Sequence, residues 1–469
     1  MNKVIKTNIA DMSAVELTEL FKRKALSPVE AVQASFDRIS QCNSIVNAYC
    51  YLAEEEALKV ARESEIRWYK GKPLSLIDGV PSSIKDLTSV SGWPNRNGSL
   101  TTNDTPMTYD APFTKNMLSA GAVILGKTTT PEFGWKGVTD SKLTGITRNP
   151  WDTSKTSGGS SGGAAVAAAL NMGVLHQSSD AGGSIRIPAS FCGVFGIKPT
   201  FGFIPQWPAS AMTTLSHLGP MTRTVQDSIL MMDVITQPDS RDWYSTRIYK
   251  DHKDKYSPKP LKGLRVAYSP TLGYVDVDPK VYSLVDSTVK KLEEMGAVVQ
   301  LIDPPFQDPI DTFSTLWFSG AAKVISNFSA QQCELLDPGF LAIGNEGSKI
   351  PIVEYMKATD RRAELGAIMQ NFHTDYDILI TPTMPRTAFD AGKNTENNQQ
   401  KHWMEWTPFS YPFNLTQQPA LSVPCGQVDG LPVGLQIIAD RGNDLLAMEV
   451  AKYIELISPS QFLSLPVER

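Results

Sequence analysis

The chain has 469 residues, of which 41% are hydrophobic and 20% charged, with a net charge of −5; this is a globular composition with room for a large core or for two or three domains. So mild a charge offers neither a basic stripe for nucleic acid nor a polybasic segment for a membrane surface. The opening residues lack an apolar core of signal-peptide length and no run of about 18 apolar residues occurs, so a cytoplasmic protein without nucleic-acid or membrane partners is expected.

In chain order, two short helices are predicted first. Ser13 with Glu16, and Ser27 with Glu30, form capping boxes, and Pro28 occupies the first helical position of the second. From Pro73 to Lys127 the pattern is strand-like and rich in turns, with Asp78–Pro81, the approach to Ile84, and Ala122–Leu125 as landmarks. Small residues dominate from Gly158 to Gly202, where Ala164–Leu170 carries no polar residue and predicts a buried, tightly packed segment. A break in style falls at Tyr256–Pro260. The strand GLRVAYS, a helix with Val281, Leu284, Val285, Val289 and Leu292 at helical spacing, and the strand AVVQLID follow, and this βαβ alternation signals an α/β protein. YDILITPTMP and PALSVPC read as buried strands, and Asp444–Glu455 as a closing helix.

The five cysteines, Cys42, Cys50, Cys192, Cys333 and Cys425, are scattered and lack CxxC spacing, which argues against disulfides and zinc. Cys192 and Cys333 are expected to be buried, and His176 and His217 to be structural.

Several chemical motifs compete for this sequence. The segment GAVILGKT, Gly121–Thr128, has phosphate-loop spacing, but its middle residues are themselves a strand and cannot supply a loop of free N–H groups. Ser82–Lys85 fits S-x-x-K, yet Pro81 and its β-forming neighbours favour a strand end over a helix. The stretch TSGGSSGGAAV, Thr156–Val166, is too closely joined to the apolar alanine run to be a flexible linker. It matches G-x-S-x-G at both Ser160 and Ser161. An α/β-hydrolase elbow would need a preceding strand and a downstream histidine, for which His373 or His402 would have to serve. Finally, a second glycine-flanked serine, Ser184, lies in DAGGSIRIPASFCGVFGIKPT, so two glycine-rich loops joined by a buried helix would bring Ser160 and Ser184 together.

GGSSGGAAVAAAL, the DAGGS segment and Lys85–Leu87 upstream closely resemble the amidase signature family, and the likeness runs from SPVEAV near the start to LPVGLQII near the end. The resemblance implies one α/β/α domain with a large twisted mixed sheet flanked by helices. Residues 1–70 would form N-terminal helices, 71–245 the catalytic core, 246–370 a βαβ and helical segment contributing to the pocket, and 371–469 the completion of the sheet. It further implies hydrolysis of a small-molecule carboxylic amide, small neutral or aryl amides being favoured, through an acyl-enzyme and with no cofactor or metal. Carried over residue by residue, Ser184 is the nucleophile, Ser160 the bridging serine in a cis peptide, and Lys85 the base. A lysine can act as a base only when neutral, so burial must lower its pKa from about 10.4.

Backbone N–H groups of Ala181, Gly182, Gly183 and Ser184 would converge on the developing oxyanion, and side chains at the two glycines would obstruct substrate. Ser161 is expected to tie down its loop, and Asp180 and Arg186 to form a structural ion pair beside the nucleophile. Phe133, Trp135, Trp207 and Trp317 are candidates for an apolar acyl pocket. A homodimer is compatible with this reading. Two alternatives stay open: the glutaminase component (the A chain type) of a tRNA-dependent amidotransferase, working within a complex, and a catalytically silent binding module.

Overall fold

The computed structural model describes residues 8–246, 260–459 and 463; the expected break at Tyr256–Pro260 falls outside them but for its last residue. Both N-terminal capping boxes form: Ser13 Oγ accepts from Glu16 N at 3.2 Å while Glu16 Oε2 accepts from Ser13 N at 2.8 Å, and Ser27 and Glu30 repeat the arrangement. The second helix is not short, however, since Pro28–Val46 runs for 19 residues before Asn47 ends it in a left-handed conformation. A third helix, Glu54–Tyr69, is hidden in the sequence because most of its buried face is Ala57, Ala61 and Ser64, small residues that leave little hydrophobic signal, with Trp68 the one large side chain on it. A short helix, Pro112–Ser119, likewise interrupts the region read as strands and turns.

Among the described residues, eleven strands form the main sheet and two a hairpin apart from it: β1 (Tyr49–Leu52), β2 (Pro81–Lys85), β3 (Val123–Thr128), the hairpin strands β4 (Asp140–Ser141) and β5 (Gly145–Ile146), β6 (Leu175–Asp180), β7 (Phe195–Lys198), β8 (His217–Thr222), β9 (Arg265–Tyr268), β10 (Val298–Leu301), β11 (Ile378–Pro382), β12 (Ala420–Val428) and β13 (Leu431–Ala439). Their order across the main sheet is β1-β3-β2-β6-β8-β7-β12-β13-β11-β9-β10. The sheet is mixed: β3, β2 and β6 run parallel, the central strands from β6 to β11 pair antiparallel, and β11, β9 and β10 are parallel again. The predicted βαβ unit is β9, the helix Pro279–Glu294 and β10.

Helices cover both faces, and β3 shows how the sequence arranges this. Ala122 and Ile124 enter one apolar cluster with the helices Val225–Ile235 and Asp444–Ile457, whereas Val123 and Leu125 enter another with the alanine helix Gly162–Ala169. Alternate side chains of a strand point to opposite faces, so a run apolar at every position is what a strand buried on both sides requires. GAVILGKT is thus a strand and not a loop from Val123 onward, and its Lys127 is buried against Asp86 at 3.2 Å. The alanine helix is a strong helix former, and its small side chains bring its axis close to the sheet.

Candidate functional site

Strands β2 and β6 are parallel neighbours, with Ser82 opposite Leu175 and Ser83 opposite His176, so their C-terminal ends finish on the same edge of the sheet. Lys85 ends β2; Ser179 and Asp180 end β6 and lead into the loop that carries Ser184. The alanine helix fits against β6 so that the serines preceding it arrive at the same edge. The two loops are tied directly: Ser161 N donates to Ser184 O at 3.1 Å.

At the centre lies the amine of Lys85, a fully buried side chain. Its Nζ is 2.7 Å from Ser160 Oγ, 2.8 Å from Ser161 Oγ and 3.1 Å from Ser179 Oγ. Ser161 Oγ also donates to Ser179 O at 3.2 Å and accepts from Ser179 N at 3.3 Å, which fixes its position. Burial drives the Lys85 pKa well below the usual lysine range, with the charge of Asp180 opposing in part. The peptide bond between Gly159 and Ser160 is cis.

Ser160, Ser179, Ala181 and Ser184 all line one cavity of about 460 Å³, at whose wall Lys85 does not appear: the hydroxyls stand between it and the cavity. Sequence reasoning missed Ser179. Its signal was available in principle, since a parallel neighbour of β2 ending in a hydroxyl places that hydroxyl beside the end of β2.

Asp180 and Arg186 form a wholly buried ion pair, with Nε to Oδ2 at 2.9 Å and the second guanidinium nitrogen to Oδ1 at 3.0 Å. The guanidinium holds the Asp180 carboxyl far below the usual carboxylate range against the cost of burial. The same carboxylate templates the loop, because Gly183 N donates to Oδ1 at 2.7 Å and Ile185 N to Oδ2 at 3.2 Å. Arg186 is completed by Ser410 O, Gln436 Oε1 and Asn414 Oδ1 at 2.7 to 2.8 Å, partners from distant segments that no local motif announces.

Two details of the loop differ from expectation. The Gly183 amide, one of the four expected oxyanion donors, is committed to Asp180. And a Cβ on Gly182 would strike the rings of Phe313 and Trp403 at 2.7 Å, while one on Gly183 would strike Ser410 at 2.5 Å. The glycines are required by the wall behind the loop and not by the space in front of it. Gly159 is similar, its absent Cβ falling 2.5 Å from the backbone of Val138.

Of the four aromatic candidates, Phe133 and Trp317 line the cavity. Trp135 does not: it is buried behind, against Phe340. Trp207 lines a neighbouring chamber instead, touching the cavity-lining Tyr109 at 4.7 Å between ring centres. His373 and His402 are absent from the cavity wall; His373 Nδ1 donates to Tyr376 O at its own helix end and His402 packs on Phe318, so the hydrolase-elbow arrangement is not assembled. His176 is buried against Ser83 Oγ, and His217 is buried in β8. Cys192 is buried, whereas Cys333 is only partly so.

Known proteins give a consistent picture. The family model described as Amidase matches residues 30–447. An acylamidase of Rhodococcus erythropolis is 35% identical over 462 residues, covering 96% of this chain and 96% of that protein. The A-type component of a glutamyl-tRNA(Gln) amidotransferase of Clostridium botulinum is 32% identical over 463 residues, covering 92% and 94%. Among solved structures, a bacterial aryl acylamidase of the amidase signature enzymes superposes with a TM-score of 0.89 at 27% identity, covering 96% of each chain. A 6-aminohexanoate cyclic dimer hydrolase complexed with substrate superposes at 0.86 with 26% identity, covering 98% of this chain and all of the other.

Proposed function

The chain belongs to the amidase family and is a hydrolase of amide C–N bonds, and from that premise we propose that it cleaves small neutral or aryl amides through an acyl-enzyme on Ser184, with Ser160 as proton relay and Lys85 as base. The observation that carries the reading is the buried amine of Lys85 bonded to Ser160, whose hydroxyl shares a cavity with that of Ser184.

A neutral amine has two N–H donors and one lone pair. Ser161 has its own hydrogen on Ser179 O and so accepts from Nζ; Ser160 then directs its O–H at the lone pair. As Ser184 attacks the amide carbon its proton passes to Ser160, whose own proton moves to Lys85. The oxyanion that forms accepts from the N–H groups of Ala181, Gly182 and Ser184, an interaction worth on the order of 2.7–4 kcal/mol per donor in such sites. Collapse of this intermediate breaks the C–N bond, and the proton returns through Ser160 to the departing nitrogen. Water then repeats the sequence on the ester and frees the acid.

The likeness to the amidotransferase component supports a second reading, a glutaminase acting in a complex. The cavity favours the first. Glutamine carries an ammonium and a carboxylate, and desolvating them requires charged partners, yet the described lining contains no Asp, Glu, Lys, Arg or His. Phe133, Met212, Leu218 and Trp317 instead suit an uncharged, apolar group.

Labelling with a fluorophosphonate, followed by peptide mapping, tests the mechanism. An adduct on Ser184 supports it, and one on Ser160 or Ser161 refutes it. Turnover of acetanilide and propionamide without turnover of glutamine separates the two substrate readings.

A further inference from the structure

The lysine of the phosphate-loop spacing has a use of its own. Lys127 is buried, and its Nζ reaches Pro94 O at 2.8 Å, Asn95 Oδ1 at 2.6 Å and Asp86 Oδ1 at 3.2 Å. A carbonyl only accepts, so one hydrogen of Nζ is committed to Pro94 O. Whichever of Lys127 and Asp86 holds the proton of their pair, a second hydrogen of Nζ points at Asn95, and the Asn95 amide must meet it with its oxygen.

The constraint passes outward by one more bond. With its oxygen taken, Asn95 donates from Nδ2 to Asn97 Oδ1 at 2.9 Å. The amide of Asn97 is thereby oriented too: its oxygen is held by Asn95, and its Nδ2 has no partner among the described residues. That nitrogen is not shut away from solvent, since Asn97 is half-buried and lines the cavity that holds Ser160 and Ser184. A buried ion pair thus acts through two amides to present an N–H donor to a cavity whose lining is otherwise rich in apolar groups.

The backbone of Asn97 is tied to the same wall. Its φ of 53° lies in the left-handed region, which asparagine and aspartate tolerate better than most side chains. Asn97 O accepts from Phe133 N at 2.8 Å, and a Cβ on the next residue, Gly134, would lie 3.2 Å from Ser160 Oγ. Asn97, Phe133, Gly134 and Ser160 therefore form one continuous stretch of lining. In the proposed reaction Ser160 hands a proton to the departing nitrogen, so the substituent on that nitrogen extends along this stretch.

We propose that Asn97 is a specificity-determining residue that reads the amine half of the substrate, its Nδ2 donating to an ether or carbonyl oxygen carried by the substituent on the amide nitrogen. Lys127 and Asn95 are positioning residues that fix Asn97 as a donor. The inference rests on the reading of Ser184 as nucleophile and Ser160 as relay, and it concerns recognition alone.

The test compares N-(2-methoxyethyl)benzamide with N-butylbenzamide, which carry an ether oxygen and a methylene at the same place, each read as kcat/KM and as Ki against acetanilide. The wild type should favour the ether by about fivefold, the worth of one neutral hydrogen bond. Asn97→Asp keeps the shape and the tolerance of the left-handed backbone but puts an oxygen where Nδ2 stood, so the ether should become the poorer ligand. In Asn95→Asp both side-chain oxygens accept, so Asn97 must turn its Nδ2 toward them and show Oδ1 to the cavity; the preference for the ether should be lost although Asn97 itself is unchanged. A residue that only props up the wall would shift both amides by one factor. A wild type that treats the two amides alike, or a folded Asn95→Asp that keeps the ether preference, overturns the proposal. Should the melt show Asn95→Asp unfolded, the same ratio in Asn97→Asp decides. Fluorophosphonate labelling of the same samples separates the two levels of failure. An adduct on Ser184 without an ether preference removes only the role of Asn97, whereas no adduct on Ser184 removes the reading of the cavity and this inference with it.

Discussion

Replacing Lys85 by methionine tests the proposed base most directly. Methionine nearly matches the length of the lysine stem and fills the same buried space, so no large void is left. Of the three hydroxyls that lose the amine, Ser161 keeps its bonds to the backbone of Ser179, while Ser160 and Ser179 line the cavity and can turn to water there. Folding stability should therefore fall by no more than about 1–3 kcal/mol, the cost of one buried hydroxyl left unsatisfied. Catalysis should fall far more, by about 10²–10⁴-fold, the usual worth of a positioned general base, or roughly 2.7–5.5 kcal/mol of barrier. Steady-state hydrolysis of an aryl amide beside a circular-dichroism melt separates the two effects.

The pH profile is the sharper readout. Lys85 acts unprotonated, so wild-type kcat/KM should be lost as pH falls through its depressed folded-state pKa, on a limb below the ordinary lysine range. That limb should vanish from the residual activity of Lys85→Met. A folded Lys85→Met that keeps more than about a tenth of the rate, or the same ascending limb, refutes the assignment.

Gly182→Ala places a methyl against Phe313 and Trp403 at 2.7 Å, and the loop should yield before two buried rings do; kcat should drop about 10²–10³-fold, as when an oxyanion donor is lost, with the melt showing whether the fold survives. Asp180→Asn leaves the Arg186 guanidinium buried without its counter-ion and should cost about 3–5 kcal/mol in denaturant unfolding, a loss under about 1 kcal/mol contradicting the account. His176, held down to about 4 by burial, binds its proton more readily unfolded than folded. Stability should accordingly fall as pH drops from 6.5 to about 4, by about 3 kcal/mol in all, and His176→Phe should flatten that part of the unfolding-versus-pH curve. His373→Ala and His402→Ala should remain active, since neither imidazole lines the cavity that holds Ser160 and Ser184.

What the sequence disclosed was whatever is written locally. Ser13 with Glu16 and Ser27 with Glu30 announce helix starts because both partners of each bond lie within one turn. The run Ala122–Leu125 announces a strand buried on both faces, and the alanine run a helix packed close to a sheet. What stayed hidden depends on partners far along the chain. Trp135 and Trp207 have the composition of pocket residues, but packing against Phe340 and Tyr109 decides where they go. The reason for Gly182 is a wall made by Phe313 and Trp403, more than a hundred residues away in sequence. Ser179 looks like any strand serine until β2 and β6 are known to be parallel neighbours.

The placement of Asp180 explains how a lysine and a carboxylate can coexist in one buried site without defeating the proposed chemistry. A bare carboxylate near Lys85 would favour the ammonium and raise its pKa, the wrong direction for a base, and Asp180 does act in that sense. Its charge is met by Arg186 on both oxygens, and its remaining acceptor capacity by Gly183, Ile185 and Asn414. Desolvation therefore remains the larger influence on Lys85. The carboxylate can then hold the Ala181–Ser184 loop in shape while the amine, behind the hydroxyls of Ser160 and Ser179, keeps the lone pair that the proposed reaction needs.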